Sequence, residues 1–245
     1  MRCLVTGGAG FIGSNIARRL LALGHTVHIV DNLSTGKTSN IPPAALFDNL
    51  DINAPELRDV IALAKPDVIF HEAAQVNVRK SVEDPAYDAR QNVLGSINLL
   101  EAARAAKVAK IIYASSGGAC YGEPARLPAT EDTPVNPLCP YGASKYCVEK
   151  YVELYGRLHG QRYTILRYAN VYGPGQDPHG EAGVVAIFCE ALLQGKQPRI
   201  FGDGTKTRDY VYIDDVVQAN ILAMTAGDGR AYNVGSGVRT TDTQV

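Results

Sequence analysis

Near the start of the chain a short apolar run, Cys3–Thr6, opens directly into Thr6-Gly7-Gly8-Ala9-Gly10-Phe11-Ile12-Gly13. The glycines at 7, 10 and 13 form a GxxGxxG pattern between a predicted strand and a predicted helix. Each meets a steric demand: a tight turn, room for a pyrophosphate to approach the backbone, and close helix–strand packing. The helix start then presents free N–H groups and the positive end of its dipole, a natural place for phosphate. The helical pattern runs through Ile16, Leu20, Leu21 and Leu23 and stops at Gly24. A chain that begins this way is constrained to a nucleotide-binding β–α unit, and so to a sheet built by repeating such units.

The second strand, Thr26–Val30, ends at Asp31, about 20 residues beyond the glycines. A carboxylate there accepts hydrogen bonds from both adenosine ribose hydroxyls and repels a 2′-phosphate, so the spacing predicts NAD rather than NADP as cofactor. Asn32-Leu33-Ser34-Thr35-Gly36-Lys37 reads as a polar loop beside it. A third strand is expected at Leu46–Leu50, a helix from Asn53 and Pro55 to Lys65, and a buried fourth strand at Asp67–Phe70 ending in His71-Glu72-Ala73-Ala74-Gln75. The small Ala73 and Ala74 let a cofactor lie against the backbone. His71 reads as a packed, hydrogen-bonded histidine, because no metal-ligand partners surround it. One long helix is predicted from about Asp84 to Ala106 and a fifth strand at Lys110–Ala114. Strands alternating with helices without an internal repeat predict an α/β fold, a Rossmann-like doubly wound parallel sheet, and the weaker alternation beyond it a smaller C-terminal lobe, which the resemblance described below makes substrate-binding.

Composition excludes several classes. The 245 residues are 46% hydrophobic, enough for a core, and the formal charge of −1 with no basic tract argues against a nucleic-acid or membrane-surface partner. No apolar run reaches spanning length and no signal peptide is read before the first strand. Cys3, Cys120, Cys139, Cys147 and Cys189 are scattered without metal spacing, which fits reduced thiols in the cytoplasm and no metal site.

Tyr141-Gly142-Ala143-Ser144-Lys145 is the candidate catalytic stretch. On a helix the Tyr and Lys lie one turn apart on one face. A positive charge near a phenol lowers its pKa, and a phenol tuned that way can take a proton from a substrate hydroxyl and return it. A surface Tyr and Lys sharing a helix by chance is the competing reading.

In order, TGGAGFIG, DNLSTG, LDI, HEAAQ, NVLGSINLLEA, ASSGGACYG, PYGASK and LRYANVYGPGQ resemble the extended short-chain dehydrogenase/reductases, and within them the UDP-glucose 4-epimerase (UDP-galactose 4-epimerase) family. The resemblance implies that Gly7, Gly10, Phe11, Ile12 and Gly13 hold the NAD pyrophosphate. It assigns the adenosine ribose to Asp31, Asn32 and the loop Ser34, Thr35 and Gly36, and the adenine to Asp51 and Ile52. Ala73, Ala74, Gln75 and Tyr168 contact the cofactor, with Asn92 behind it. Tyr141 is the catalytic base, and Lys145 holds the nicotinamide ribose and depresses the Tyr141 pKa. Asn170 and Arg208 contact the UDP phosphates and Phe201 sits near the uracil. Arg208 suits that role because a guanidinium grips phosphate in a bidentate way; a surface ion pair with Asp209 is the alternative. By resemblance the protein is a homodimer paired through the Asp84–Ala106 and Tyr141–Gly156 helices, and relatives continue past Val245.

One departure bears on mechanism. The family carries a Ser or Thr four residues before the Tyr-Gly pair that follows the fifth strand; here that pair is Tyr121-Gly122 and the position is Gly117. Ser116, or failing that Ser115, is expected to supply the hydroxyl, with Tyr141 alone or a water as the remaining alternative. Gly118 and Ala119 stand where dehydratases and decarboxylases of the superfamily carry acids, which favours an oxidise-and-return reaction.

Residues 1–168 are expected to form the NAD-binding domain and 169–245 the substrate lobe, interleaved with the sheet. A sixth strand is predicted at Tyr163–Tyr168, a Gly/Pro-rich connection at 172–180, a helix at Val184–Leu193, a strand and turn at 199–204, and a helix from about Asp214 to Ala226. Thr240–Val245 reads as the start of another helix. The implied activity is NAD-dependent interconversion of UDP-glucose and UDP-galactose. The alternatives are a UDP-glucuronate or UDP-N-acetylglucosamine 4-epimerase, a sugar-nucleotide reductase, and, from another class, a non-catalytic NAD-sensing protein.

Overall fold

Residues 1–179, 183–200 and 202–245 are described by the structure, a computed structural model. The core is a seven-stranded, wholly parallel sheet. Its strands are β1 (Arg2–Thr6), β2 (Thr26–Asp31), β3 (Leu46–Asn49), β4 (Val68–His71), β5 (Lys110–Ser116), β6 (Arg162–Tyr168) and β10 (Arg230–Val234). They lie in the order β10-β6-β5-β4-β1-β2-β3. Strands buried on both faces read as continuous apolar runs, and β1, β4 and β5 do. One face packs on Ile16, Leu20, Val216 and Val217 from α1 (Phe11–Ala22) and α9 (Ile213–Ala223). The other packs on Leu57, Ile61, Leu99, Leu100, Val148 and Val152 from α2 (Leu57–Ala64), α5 (Gly95–Ala105) and α7 (Pro140–His159).

The chain winds outward from β1 in both directions, with Thr6 opposite His71 where the order reverses between β1 and β4. Open parallel sheets bind ligands just outside the carboxyl ends of strands at such a point. The residues that follow β1 and β4, Gly7 to Gly13 and Glu72 to Gln75, therefore share one crevice.

The predicted Asp84–Ala106 helix is more articulated than its pattern suggests. Asp84 caps α4 (Pro85–Ala89) by accepting from Tyr87 N at 2.9 Å. A π-helical turn over Arg90–Leu94 then leads into α5. A π turn widens the ladder locally and is frequent at functional sites; this one carries the buried Asn92. A short α3 (Val78–Glu83), capped by Asn77, precedes it and was not expected.

The second half departs further. α8 (Val184–Leu193) forms as predicted. No strand forms at Arg199–Ile200, however, and Phe201 lies outside the described residues. Small ribbons pair instead, β7 (Asn170–Tyr172) with β9 (Tyr210–Tyr212) and β8 (Thr207–Arg208) with β11 (Thr240–Thr241). Thr240–Thr241 is therefore strand rather than the start of a helix, its β-branched residues pairing with Thr207 and Arg208. β10 returns to the main sheet beside β6, so residues after 168 also contribute to the sheet.

Candidate active site

Gly7 occupies the left-handed region, φ +68°, and a Cβ there would lie 2.7 Å from Ala73 N. A Cβ on Gly13 would run into the Gly7 carbonyl. The two glycines thus let β1, α1 and the strand-β4 exit converge. Gly10 caps α1 without a side-chain hydrogen bond, so the first amides of Phe11, Ile12 and Gly13 stay open to an anion. Asp31 closes the same crevice from β2. It is buried, and its two oxygens accept Ala9 N at 3.0 Å and Leu33 N at 2.8 Å. A carboxylate has about four acceptor sites, so one remains on each oxygen for a diol. A glycine cradle, an uncapped helix start and a buried acid with free lone pairs fit the pyrophosphate and adenosine ribose of NAD.

Asn32 donates to Asp51 at 2.7 Å, joining the loops after β2 and β3. Burial raises the Asp51 pKa, but hydrogen bonds from Asn53 and Asn32 outweigh it and hold the carboxyl below its ordinary value. Ser34 and Thr35 are exposed on the same loop, and Gly36 packs against the Asp31 carboxylate. Ile52 is buried in the helical core, where a Cβ on Gly95 would meet it. Ala73 and Ala74 are half-buried at the β4 exit. Asn92 clamps that exit: it accepts Gln75 N at 2.7 Å and donates to Gln75 O at 3.0 Å and Ser144 Oγ at 3.1 Å. One buried amide so joins the cofactor loop to the helix that carries Lys145.

α7 brings Tyr141 and Lys145 into this crevice. Pro140 at its first turn and the Cys139 Sγ accepting from Gly142 N set where the helix begins. Lys145 is buried, with Nζ donating to Ala114 O at 2.8 Å and lying 5.1 Å from the Tyr113 ring centre. Burial pushes its ammonium below the ordinary lysine value, with the Glu72 charge opposing first. Burial also pushes the Tyr141 phenol up, Cys120 adds to the rise, and hydrogen bonding with Ser116 works against both. The expected net depression of the Tyr141 pKa is therefore reversed here, because loss of water outweighs the favourable partners.

The two serines separate cleanly. Both belong to β5, which is longer than predicted, and their side chains alternate. Ser116 faces Tyr141 and caps a four-residue helix, α6 (Gly117–Cys120). Ser115 points away: it donates to Glu149 at 2.5 Å, and Glu149 is gripped by Arg167 at 2.6 Å. Ser115 is thereby held away from Tyr141, against its expected place as the alternative hydroxyl. A Cβ on Gly117 would meet only ordinary contacts, 3.5 Å from the Arg167 and Tyr168 carbonyls.

Tyr168 is buried at the end of β6, its hydroxyl donating to Glu72 at 3.0 Å and accepting from Asn220 at 2.7 Å. His71 is neutral, pushed down to about 3 by burial and by Lys145, and bridges Thr6 and Ser96 at 2.8 Å each. Asn170 donates to Asp209 O at 3.2 Å. Asp209 turns to Ser236 and Gly237, not to Arg208, which stays exposed on β8. Glu72, Asn220 and the Glu149–Arg167 pair escaped the sequence reading; only the acid in His71-Glu72-Ala73-Ala74 hinted at one of them. Among the described residues no cluster of His, Cys, Asp or Glu suits a metal ion, and no helix is long and apolar enough to cross a membrane.

A sequence model of the NAD dependent epimerase/dehydratase family matches residues 3–235. The UDP-glucose 4-epimerase of Mycolicibacterium smegmatis is 52% identical over 247 residues, covering 98% of this chain and 79% of that protein. The crystal structure of a Thermotoga maritima UDP-glucose 4-epimerase with UDP-glucose superposes with a TM-score of 0.97 at 50% identity, over 100% of this chain and 80% of that one. The Thermus thermophilus UDP-glucose 4-epimerase in complex with NAD superposes with a TM-score of 0.94 at 47% identity, over 99% and 80%.

Proposed function

The chain belongs to the NAD dependent epimerase/dehydratase family, and on that premise we propose that it is an NAD-dependent UDP-sugar 4-epimerase interconverting UDP-glucose and UDP-galactose through a transient 4-keto sugar. The observation that carries this is the packing of α7, with Tyr141 and the buried Lys145, against the end of β5 at Ser116, with no acid at Gly118 or Ala119. NAD, when bound, supplies the acceptor and donor of the hydride at C4.

The side chains do the rest. The amides of Phe11 to Gly13 take the pyrophosphate, and Asp31 takes the adenosine ribose hydroxyls and excludes a 2′-phosphate. Asp51, Ala73, Ala74 and Gln75 line the remainder, braced by Asn92. Tyr141 accepts the C4 hydroxyl proton along a path bridged by Ser116, and the Lys145 charge favours the phenolate that does so. Arg208 and Asn170 hold the UDP diphosphate, so that the keto sugar can turn about that tether and present its other face before Tyr141 returns the proton. On this reading residues 169–245 build the substrate side of the crevice, the protein works in the cytoplasm with free thiols, and two chains pair through their α4–α5 and α7 helices.

The test is incubation of the purified protein with a panel of UDP-sugars and no added NAD, with the products resolved. Conversion of UDP-glucose and UDP-galactose into one mixture is expected. Conversion confined to another UDP-sugar pair, or net reduction needing added NADH, would replace this reading.

A further inference from the structure

Arg208 and Asn170, the proposed holders of the diphosphate, lie on separate ribbons, and Asp209 joins the two. It is half-buried at the joint where the chain leaves β8, paired with β11, and enters β9, paired with β7. Its carbonyl accepts twice from Asn170, from the backbone N at 2.9 Å and from Nδ2 at 3.2 Å. Its side chain reaches the loop beyond β10. There Oδ1 accepts from Ser236 N at 2.9 Å and Ser236 Oγ at 2.7 Å, and Oδ2 accepts from Gly237 N at 2.9 Å. Gly235 closes the fit: a Cβ on it would lie 2.6 Å from Asp209 Oδ2 and 3.2 Å from Ala169 Cβ. β6 and β10 run parallel with Tyr168 opposite Val234, so Asn170 and the 235–237 loop both leave the sheet at its carboxyl end, where ligands bind.

We propose that Asp209 is a positioning residue for substrate binding, tying the ribbon of Arg208, the ribbon of Asn170 and the 235–237 loop into one unit. The proposal deepens the functional reading and rests on it, through Arg208 and Asn170 as the phosphate-holding pair. The clasp does two things. It fixes the backbone from which both side chains project. It also commits the carboxylate to Ser236 and Gly237, where an acid next to a guanidinium could otherwise pair with it and repel a phosphate. Arg208 accordingly stays exposed, its Nη1 donating to Thr207 O at 3.1 Å. Loss of the clasp should therefore weaken the grip on the diphosphate and spare the chemistry at C4, because Tyr141, Lys145 and Ser116 stand on α7 and β5.

The experiment is calorimetric titration of UDP into the protein as purified, unmodified and as Asp209→Ala, Arg208→Ala and the two together. Asp209→Ala is expected to weaken UDP binding by about tenfold, the low end of what a hydrogen bond to a charged group contributes. NAD content should be unchanged, and KM for UDP-glucose should rise by a similar factor at near-parental kcat. With Arg208→Ala already in place, Asp209→Ala should cost markedly less, because the aspartate acts through the arginine. Equal losses in the two backgrounds overturn the proposal. Gly235→Ala is the second perturbation should Asp209→Ala fail to fold, since its Cβ displaces the carboxylate and leaves Asp209 in the chain. A similar loss of UDP affinity is expected there, and parental affinity overturns the proposal. Absence of UDP binding by the unmodified protein strikes the functional reading and the proposal together. Parental UDP affinity in Asp209→Ala strikes the proposal alone.

Discussion

Asp31 holds one backbone N–H on each oxygen and keeps one acceptor site on each, and on the proposed reading those two sites take a ribose diol and repel a phosphate. Asp31→Ser should weaken NAD binding and narrow the gap to NADP. Calorimetry in which the unmodified protein binds NADP as tightly as NAD would remove Asp31 from that role. The position was legible because spacing from a glycine turn is a local property. The serines were half legible. Strand alternation says that Ser115 and Ser116 diverge, but which one faces Tyr141 depends on how β5 meets α7. Ser116→Ala should slow turnover by roughly 10²-fold or more, at the low end of what a positioned proton-transfer group contributes, with NAD retained. Adding Gly117→Ser should restore part of it, since a Cβ fits there. Equal turnover of Ser116→Ala and the parent would move the proton path to water or to Tyr141 alone. The titration of Tyr141 was not legible at all, because burial is a tertiary quantity that a five-residue motif does not contain.

Elements around the site are stapled by a polar core that periodicity cannot reveal. Arg167 on β6 grips Glu149 on α7, Ser115 on β5 donates to the same carboxylate, and Arg167 also donates to Tyr121 at 2.8 Å. Glu149 is 0% exposed and Arg167 6%, so removing one partner strands a charge. Glu149→Gln should destabilise the protein by about 3–5 kcal/mol in urea unfolding. Ser115→Ala should cost about 1–3 kcal/mol while leaving turnover near the parent. A Glu149→Gln protein as stable as the parent would mean the pair is looser than its geometry. Sequence patterning placed α1, α7, α8 and β1 to β6 within a few residues, because amphipathic and buried runs have distinct periods. It could not find the π turn at Arg90–Leu94, whose Asn92 reaches Gln75 and Ser144, partners 17 and 52 residues away in the chain. It also misread Thr240–Val245, where pairing with β8 decided the conformation.

At the scale of the molecule, the sheet order puts Gly7, Asp31, Ala73, Ser116 and Tyr168 at the carboxyl ends of β1, β2, β4, β5 and β6, with Tyr141 and Lys145 brought alongside on α7. α3, α4, α5 and α7 pack together and leave Val82, Leu94, Leu154 and Leu158 exposed. Light scattering at micromolar concentration should give twice the chain mass, and Leu158→Glu with Leu94→Glu should shift it toward one chain; a single-chain mass for the parent would count against the pairing. The central claim, however, is that Tyr141 and Lys145 serve a reaction that removes hydrogen from C4 and returns it within one protein molecule. Its most direct test starts from UDP-galactose carrying deuterium at C4, with purified protein and no added NAD, and follows the label in the UDP-glucose formed. The account predicts that deuterium stays at C4 of the product, and that Tyr141→Phe slows its appearance by ~10²–10⁴-fold. Product whose C4 deuterium has been replaced by hydrogen from water would contradict it.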